Sequence, residues 1–327
     1  MSRIPRPLRH LRLAAVVLVL PLVAAVGCSG ADPDQAAAAN SGAAVNTSPE
    51  QNRVRADKVE EIAAKVPAEV RQSGRLTVAT TGSGNPPLSF RADDDRTVIG
   101  VEPDLAQLVA DTLGLELDLQ PTSWENLFLG VESGTYDAGF SNITVTEERK
   151  DSYDFATYRI DTVTCEAKKD GPVETIGKPA DISGLTVGVG AGTNQEQLLL
   201  DWNRQNEAAG VAPATIQYYQ SAGDYYLALD SGRLDVYFGP NPGVAYHVAT
   251  GGTTKAVGSV NGGGTVQADI AAMTKKGDGL VTPINEALNA LIADGRYREV
   301  LDRWNLGSEG LQTSQINPPG LPREAAS

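Results

Sequence analysis

The segment Leu185-Thr-Val-Gly-Val-Gly-Ala-Gly-Thr-Asn194 has the pattern from which the fold class is predicted. Its first five residues have the apolar composition of a strand, the glycines after them form a loop, and the run from Asn194 to about Asn206 has helical spacing. The order continues with a strand at 214–219, a helix at 223–231 and a strand at 234–238. Alternation of this kind predicts an α/β fold in which crossover helices connect a parallel sheet.

A second series of the same kind precedes this one. Gly114 ends one of its helices, and Ser123 caps the next. Two series predict two α/β lobes, and a chain of 327 residues is long enough for both. The upstream elements are a strand at 75–80, a loop at Pro86-Pro87, a helix opened by Glu102-Pro103-Asp104, a strand at 115–119, a helix at 124–133 and a strand at 136–140.

The segments outside the two series are simpler. Residues 54–70 have helical spacing and predict an amphipathic arm, whereas the Ala, Ser, Gly and Pro content of residues 29 to about 50 predicts a flexible tether. Two helices, at 280–294 and 297–304, close the fold. From Gly307 onward the sequence predicts a polar, Pro-rich tail.

The first 28 residues predict a signal peptide with a lipidation site. Four arginines lie between Arg3 and Arg12, and the apolar run Leu13–Val26 is too short for an ordinary membrane span. Ala25-Val-Gly-Cys28 resembles a lipoprotein signal-peptidase site, at which the Cys28 thiol receives a diacylglyceryl group and becomes the first residue. The alternative is an ordinary secretory signal with an incidental cysteine.

Composition excludes several classes of function. The formal net charge of −14 argues against nucleic acid, whose phosphates require clustered Lys and Arg. With Cys28 acylated, Cys165 has no disulfide partner, and its apolar surroundings predict a packed structural thiol. Only His247 remains after the signal, and no His, Cys or acid cluster has metal-ligand spacing, so we expect neither a metal nor a cofactor.

Two runs of residues are candidates for binding. Ser141-Asn-Ile-Thr144-Val-Thr-Glu-Glu-Arg149 follows a strand, at the edge where open α/β sheets bind ligands, and Arg149 suits a carboxylate. The plainer interpretation is a solvated helix cap with a surface arginine. The second run, Gly190 to Gln195, places Thr193, Asn194 and Gln195 at a helix start that favours an anion.

The glycine run and Trp124 each have an alternative interpretation. The glycines at 188, 190 and 192 do not match a dinucleotide fingerprint, and no Walker-type Gly-Lys-Ser/Thr is present. Trp124, which begins a helix after a strand, is either a core aromatic or the wall of a ligand pocket.

Taken in order, the motifs of residues 74–307 resemble family 3 of the bacterial extracellular solute-binding proteins, the polar amino-acid binders of ABC transporters. The motifs are Ser73-Gly-Arg-Leu-Thr-Val78, Asn85-Pro-Pro-Leu-Ser-Phe90, Gly100-Val-Glu-Pro-Asp-Leu-Ala106, Trp124, Ser133-Gly-Thr-Tyr-Asp137, Thr144-Val-Thr-Glu-Glu-Arg149, Tyr153-Asp-Phe155, Gly188-Val-Gly-Ala-Gly-Thr193 and Gly232-Arg-Leu-Asp235.

The resemblance implies a two-lobed periplasmic-binding-protein fold (type II), with two α/β lobes joined by two hinge strands. It implies lobe one at 74–162 plus 268–307 and lobe two at 165–266, beside the signal peptide at 1–27, the tether and arm at 28–73 and the tail at 308–327 that composition predicts. The hinges would lie near 161–168 and 263–271.

The resemblance also implies a ligand-binding set. Arg149 would clamp the ligand carboxylate with help from Thr144, Ser141 and Asn142 would offer polar groups, and Trp124 would pack on the ligand side chain. Asn194 and Gln195, after Thr193, would offer backbone N–H groups. Three positions depart from the family pattern: Asn85 replaces an aromatic residue, Gly82 an acid, and Pro240 the acid that binds the ligand ammonium.

Because Asn241 is the nearest polar substitute for that acid and is neutral, either another acid such as Asp224 or Glu102 reaches in, or the ligand is not a plain α-amino acid. Lysine, arginine and histidine are disfavoured as ligands. The function implied is capture of an amino acid or related carboxylate by a monomeric lipoprotein, anchored by its palmitate-type acyl chains on the outer face of the cell membrane, for an ABC permease. The alternatives are a dehydratase-like enzyme on the same fold and a ligand-sensing lipoprotein.

Overall fold

The computed structural model describes residues 45–82, 86–264 and 266–323. Its strands are β1 (Arg75–Thr80), β2 (Phe90–Arg91), β3 (Val98–Ile99), β4 (Glu116–Pro121), β5 (Ala138–Gly139), β6 (Tyr153–Ile160), β7 (Thr162–Lys168), β8 (Thr186–Val189), β9 (Thr215–Tyr218), β10 (Val236–Pro240), β11 (Thr254–Asn261) and β12 (Asp269–Lys275). Its helices are α1 (Glu60–Ala63), α2 (Ala68–Ser73), α3 (Val101–Leu113), α4 (Trp124–Ser133), α5 (Asn194–Ala208), α6 (Ala222–Asp230), α7 (Asn241–Gly251), α8 (Val281–Asp294) and α9 (Arg296–Arg303).

The strands form two five-stranded sheets, one in each lobe. The sheet of lobe one has the order β4-β1-β5-β12-β6, and the sheet of lobe two has the order β11-β7-β10-β8-β9. In each sheet three neighbouring strands are parallel, as the alternation predicts, and the other two are antiparallel to their neighbours. The predicted α/β class with two lobes is therefore confirmed.

The chain crosses between the lobes twice, and the two crossings touch. Asp161 lies between β6 and β7, and residues 262–268 connect β11 to β12. The Asp161 N–H donates to the Ala268 carbonyl oxygen, and the Gly262 N–H donates to the Asp161 carbonyl oxygen, each over 2.9 Å. Both connections between the sheets therefore run side by side.

Each lobe has its own apolar core. In lobe one α3, α8 and α9 cover the sheet, and the buried Trp304 indole donates to Asp104 over 2.8 Å. In lobe two the rings of Trp202 and Phe238 pack with centroids 5.6 Å apart. Cys165 is fully buried in this second core, as predicted for a structural thiol. Burial raises the pKa of the Cys165 thiol to about 12.

The N-terminal arm differs from the amphipathic helix that spacing predicts for residues 54–70. Only α1 and α2 are helical there, and residues 45–59 run along lobe one without regular structure. Backbone donors in this run bond to lobe one instead, because the Ala56 N–H donates to Asp111 and the Val59 N–H donates to the Thr112 carbonyl. Hydrogen bonds to lobe one thus outweigh the helical tendency of this part of the sequence.

The segment after Gly307 also differs from the polar tail that composition predicts. Glu309, Ser314 and Leu321 are buried, and the backbone pairs with β6, which is an edge strand of the lobe-one sheet. An edge strand has unpaired backbone groups, so a following segment of suitable length can satisfy them. Most of the predicted tether lies outside the described residues.

The core of lobe one yields a stability prediction. Leu105 on α3 is fully buried, so Leu105→Ala should lower the free energy of unfolding by about 2–5 kcal/mol through lost burial and the cavity left behind. Leu129→Ala, at a side chain 62% exposed, is the control and should change it by less than about 0.5 kcal/mol. Urea unfolding followed by circular dichroism makes the comparison, and equal midpoints for the two variants would contradict this packing.

Candidate functional site

A cleft of about 300 Å³ lies between the lobes. Thr81, Ser141 and Asn142 reach it from the ends of β1 and β5, and residues 190–195 and 219–222 reach it from the ends of β8 and β9. All four strands are parallel members of their sheets, and the carboxyl ends of such strands are where open α/β sheets bind ligands. The predicted position of the site therefore agrees with the position of the cleft.

Most of the predicted site residues line this cleft. Trp124, Ser141, Asn142, Thr193, Asn194 and Gln195 do so. Thr144, Arg149 and Asn241 lie beside it and bond to other protein groups. Asn85 falls outside the described residues.

The start of α5 supplies donors to the cleft. The Thr193 hydroxyl caps the helix by accepting the Glu196 N–H over 3.2 Å. The N–H groups of Asn194 and Gln195 belong to the first turn, where no preceding helical carbonyl exists to accept them. Together with the helix dipole, these donors suit the negative end of a ligand.

Ser141 and Thr81 form the polar wall of lobe one. The Ser141 hydroxyl oxygen accepts the Thr81 N–H over 3.0 Å and lies 2.8 Å from the Thr81 hydroxyl. Neighbouring Asn142 has φ of 52°, a left-handed conformation that asparagine tolerates, and its side-chain oxygen accepts from Arg159. Neutral oxygens thus line this wall.

Arg149 joins the lobes at the edge of the cleft. Its guanidinium donates to the carbonyl oxygens of Thr144 (2.8 Å) and Gly192 (2.9 Å), and it lies 5.4 Å from the centroid of the Trp124 ring. The Trp124 indole also donates to Gly192, over 3.4 Å. Burial lowers the pKa of Arg149 to about 10, although the Asp161 carboxylate opposes this shift.

Asp161 is a buried carboxylate that sequence analysis did not single out. It accepts from the Thr144 hydroxyl over 2.6 Å and from the Asn194 side-chain amide over 2.7 Å, so one carboxylate holds a residue of each lobe. Burial raises the pKa of Asp161 to about 6 despite these bonds. The sequence does contain a signal for Asp161, namely an acidic residue between two largely apolar strands.

The predicted substitutes for a ligand-facing acid lie elsewhere. Buried Glu102 accepts from Tyr158 and pairs with Arg159, and exposed Asp224 accepts from the Ser221 hydroxyl over 2.7 Å. Asn241 donates to Glu309 over 2.8 Å and accepts from Thr164. Among the described residues, no Asp, Glu, Lys, Arg or His side chain lines the cleft.

The wall on the lobe-two side is aromatic, and sequence analysis missed it. Tyr225 on α6 and Tyr237 on β10 stack with ring centroids 3.7 Å apart. Gly239 leaves room for this stack, since a Cβ there would lie 2.2 Å from the Tyr237 ring. Tyr219, Phe238 and Pro240 complete this wall. Of this wall, only Tyr219, directly after a strand end, and Pro240, where the family pattern has an acid, have a signal in the sequence.

The protein family to which this chain is similar agrees with a two-lobed binding cleft. The chain belongs to the bacterial extracellular solute-binding proteins, family 3, whose profile matches residues 76–307. In the described part of the chain no helix is long and apolar enough to span a membrane.

Individual relatives are similar over most of their length. The chain is 31% identical over 237 residues to the L-cystine-binding protein TcyJ of Escherichia coli K12, covering 72% of this chain and 84% of that one. It is 31% identical over 267 residues to the arginine-binding protein ArgT of Corynebacterium glutamicum, covering 81% and 85%. The solved structure of the ancestral amino acid-binding protein AncCDT-1, a precursor of cyclohexadienyl dehydratase, matches with a TM-score of 0.63 at 25% identity, covering 72% and 97%. The fold is thus that of the two-lobed periplasmic amino-acid-binding proteins.

The raised pKa of Asp161 predicts a pH-dependent stability difference. Its folded-state pKa of about 6 exceeds the unfolded value, so its protonated form is favoured in the fold. The stability of the wild type relative to Asp161→Asn should be greatest below about pH 4 and decrease by about 2–3 kcal/mol in total as the pH rises through about 6.

Urea unfolding at pH 4, 5, 6 and 7 measures this difference. Asp95→Asn, at an exposed aspartate in a left-handed turn that asparagine also tolerates, is the matched control. A wild-type advantage that instead grew with pH would show that Asp161 is held ionised in the fold.

Proposed function

We propose that the protein captures a neutral amino acid outside the cytoplasm and delivers it to the permease of an ABC importer. The observation that supports this most strongly is the character of the cleft: helix-start donors on one side, aromatic rings on another, and no ionisable side chain other than tyrosine among its described lining residues. Membership of the solute-binding family supports the transport role.

The start of α5 binds the ligand carboxylate in this proposal. The N–H groups of Asn194 and Gln195 are donors suited to an anion. The bond of Arg149 to Gly192 holds a positive charge beside them. The hydroxyl oxygens of Thr81 and Ser141 accept from the ligand ammonium. The ligand side chain lies against Trp124 and the stacked tyrosines.

The neutral lining sets the choice of amino acid. A cationic side chain loses its hydration in the cleft and needs a carboxylate partner there, whereas a neutral side chain does not. Among the relatives, TcyJ is a cystine binder and ArgT an arginine binder. The cleft therefore favours a ligand of zero net charge over L-arginine, and L-cystine meets this condition because its second ammonium is balanced by its own second carboxylate.

Binding and closure are one event in this proposal. Gly192 of lobe two accepts from both Arg149 and Trp124 of lobe one, so these bonds exist only while the lobes touch. A ligand held by both walls shifts the equilibrium toward the closed arrangement, which the permease recognises.

A dehydratase is the second candidate because the AncCDT-1 structure is described as a precursor of one. Elimination of water requires a group that donates a proton to the leaving hydroxyl. The described cleft residues offer only hydroxyls and amides for this purpose, which favours binding over catalysis.

The ligand assignment is tested by calorimetry on protein refolded to remove bound solute. L-cystine and neutral amino acids should bind, and L-arginine and L-lysine should not. Arg149→Ala should weaken binding about ten- to a hundredfold, because it removes the charge-assisted bond to Gly192 that holds the two lobes together, and such a bond contributes about 1.5–3 kcal/mol.

Arg75→Ala, at an exposed arginine of β1, is the control and should bind as the wild type does. Tight binding of arginine with weak binding of neutral amino acids would refute the neutral-ligand assignment. Unchanged affinity in Arg149→Ala would remove Arg149 from the site.

We also propose that the protein is a monomer held on the outer face of the cell membrane by acyl chains on Cys28, after removal of residues 1–27. Cys28 lies outside the described residues, so the basic and apolar leader and the Ala25-Val-Gly-Cys28 sequence support this anchor.

Cys28→Ser should release the protein from the membrane fraction and remove the acyl mass from its N-terminal peptide. Cys165→Ser changes the buried cysteine instead and should leave the acylated peptide in place. Fractionation with peptide mass spectrometry makes the comparison, and membrane retention of Cys28→Ser would contradict the anchor.

A further inference from the structure

Residues 308–323, here termed the C-terminal strap, follow the part of the chain that matches the family profile, which ends at residue 307. The strap runs along lobe one and contacts lobe two at two points. It therefore spans the same boundary as the cleft.

The middle of the strap belongs to lobe one. The Gln315 N–H donates to the Thr157 hydroxyl over 2.9 Å, the Thr157 N–H donates back to the Gln315 carbonyl over 3.0 Å, and the Asn317 N–H donates to the Phe155 carbonyl over 3.0 Å. These bonds fix the strap along the edge strand β6.

The beginning of the strap reaches lobe two through Glu309, which is only 4% exposed. One carboxylate oxygen pairs with Arg159 of lobe one, and the other accepts from the Asn241 side chain of lobe two over 2.8 Å. Arg159 in turn donates to Asn142, a residue that lines the cleft. Glu309 is thus connected to the cleft through Arg159 and Asn142, and through Asn241, which directly follows the lining residue Pro240.

The end of the strap reaches lobe two through Leu321. Its backbone bonds to Val145 and Glu147 of lobe one, while its side chain, 6% exposed, packs in the apolar cluster that contains Val163 and Leu198. Gly320 makes this close approach possible, since a Cβ there would lie 2.7 Å from the Val145 carbonyl oxygen. The strap therefore covers the segment that leads to Arg149.

We propose that the C-terminal strap stabilises the closed arrangement of the lobes, with Glu309 and Leu321 as positioning residues for ligand capture. The proposal rests on the proposed binding function. Both residues contact lobe two in the arrangement in which Arg149 and Trp124 bond to Gly192. Their removal therefore lowers the population of the binding-competent form, and the apparent affinity decreases by the same factor.

The first test is calorimetry with L-cystine on Glu309→Gln and Leu321→Ala. Glu309→Gln keeps an acceptor for Asn241 but loses the charge, so the dissociation constant should rise about tenfold. Glu299→Gln removes an exposed carboxylate of lobe one and is the control, with unchanged affinity expected. Affinities of all three variants equal to that of the wild type would overturn the proposal.

A double-mutant cycle separates positioning from plain stability. Glu309→Gln and Asn241→Ala, alone and together, should be non-additive in the dissociation constant by about threefold or more, because the two side chains bond across the lobes. The opposite outcome is that the two substitutions are non-additive only in the urea midpoint of the ligand-free protein and additive in affinity. That result would mean that the contact forms equally in the open and closed arrangements, and it would overturn the proposal.

Hydrogen–deuterium exchange without ligand makes the test independent of the proposed function. Peptides covering residues 190–197, which carry Gly192, should exchange faster in Glu309→Gln than in wild type and Glu299→Gln. If wild type fails to bind L-cystine or any other amino acid while this exchange difference appears, the binding proposal fails and the strap holds the lobes together. Equal exchange in all three proteins refutes the strap.

Discussion

One buried carboxylate connects the two lobes where the chain crosses between them. Asp161 lies where the chain first crosses between the lobes, and its backbone bonds to both ends of the second crossing. Its side chain accepts from Thr144 of lobe one and Asn194 of lobe two. Because Asn194 also begins α5, the same carboxylate that fixes the hinge orients the helix start that faces the cleft. Burial raises the pKa of this group because the surrounding protein replaces the water that would stabilise its charge.

The charged side chains of Arg159, Glu102 and Glu309 pair with one another behind the cleft and are not among its described lining residues. Burial disfavours the charged form of Arg159, but Glu309 and Glu102 outweigh this effect and raise its pKa. Burial likewise raises the pKa of Glu102, with Arg159 opposing the shift. Such a network is costly to break, since removal of one partner leaves a buried charge unpaired. The polar groups that line the cleft are the oriented dipoles of hydroxyls, amides and helix-start N–H groups.

The fold could be predicted from the sequence because strand–helix alternation, and glycines in loops and at helix ends, are local signals. It located Trp124, Ser141, Asn142 and the start of α5 for a similar reason, since each follows the carboxyl end of a strand or begins the adjacent helix. Asp161, Tyr225 and Tyr237 escaped because their position depends on which strands become neighbours. The strap escaped because its polar composition resembles a tail, and only the exposed edge of β6 makes it structural.

The Pro240 departure has a consequence for recognition. The residue lines the cleft, and the adjacent Asn241 turns away to Thr164 and Glu309. In the proposed binding mode the ammonium end of a ligand therefore meets neutral oxygens, since no carboxylate is among the described lining residues. Long-range attraction from a low-dielectric interior replaces a direct ion pair in this account.

A crystal structure with a bound amino acid would show directly which groups hold the ligand. We expect the ligand carboxylate to accept from the N–H groups of Asn194 and Gln195, with the ligand side chain between Trp124 and the stacked tyrosines. A carboxylate bound at the opposite wall, or an Asp or Glu side chain of the protein in contact with the ligand ammonium, would contradict it.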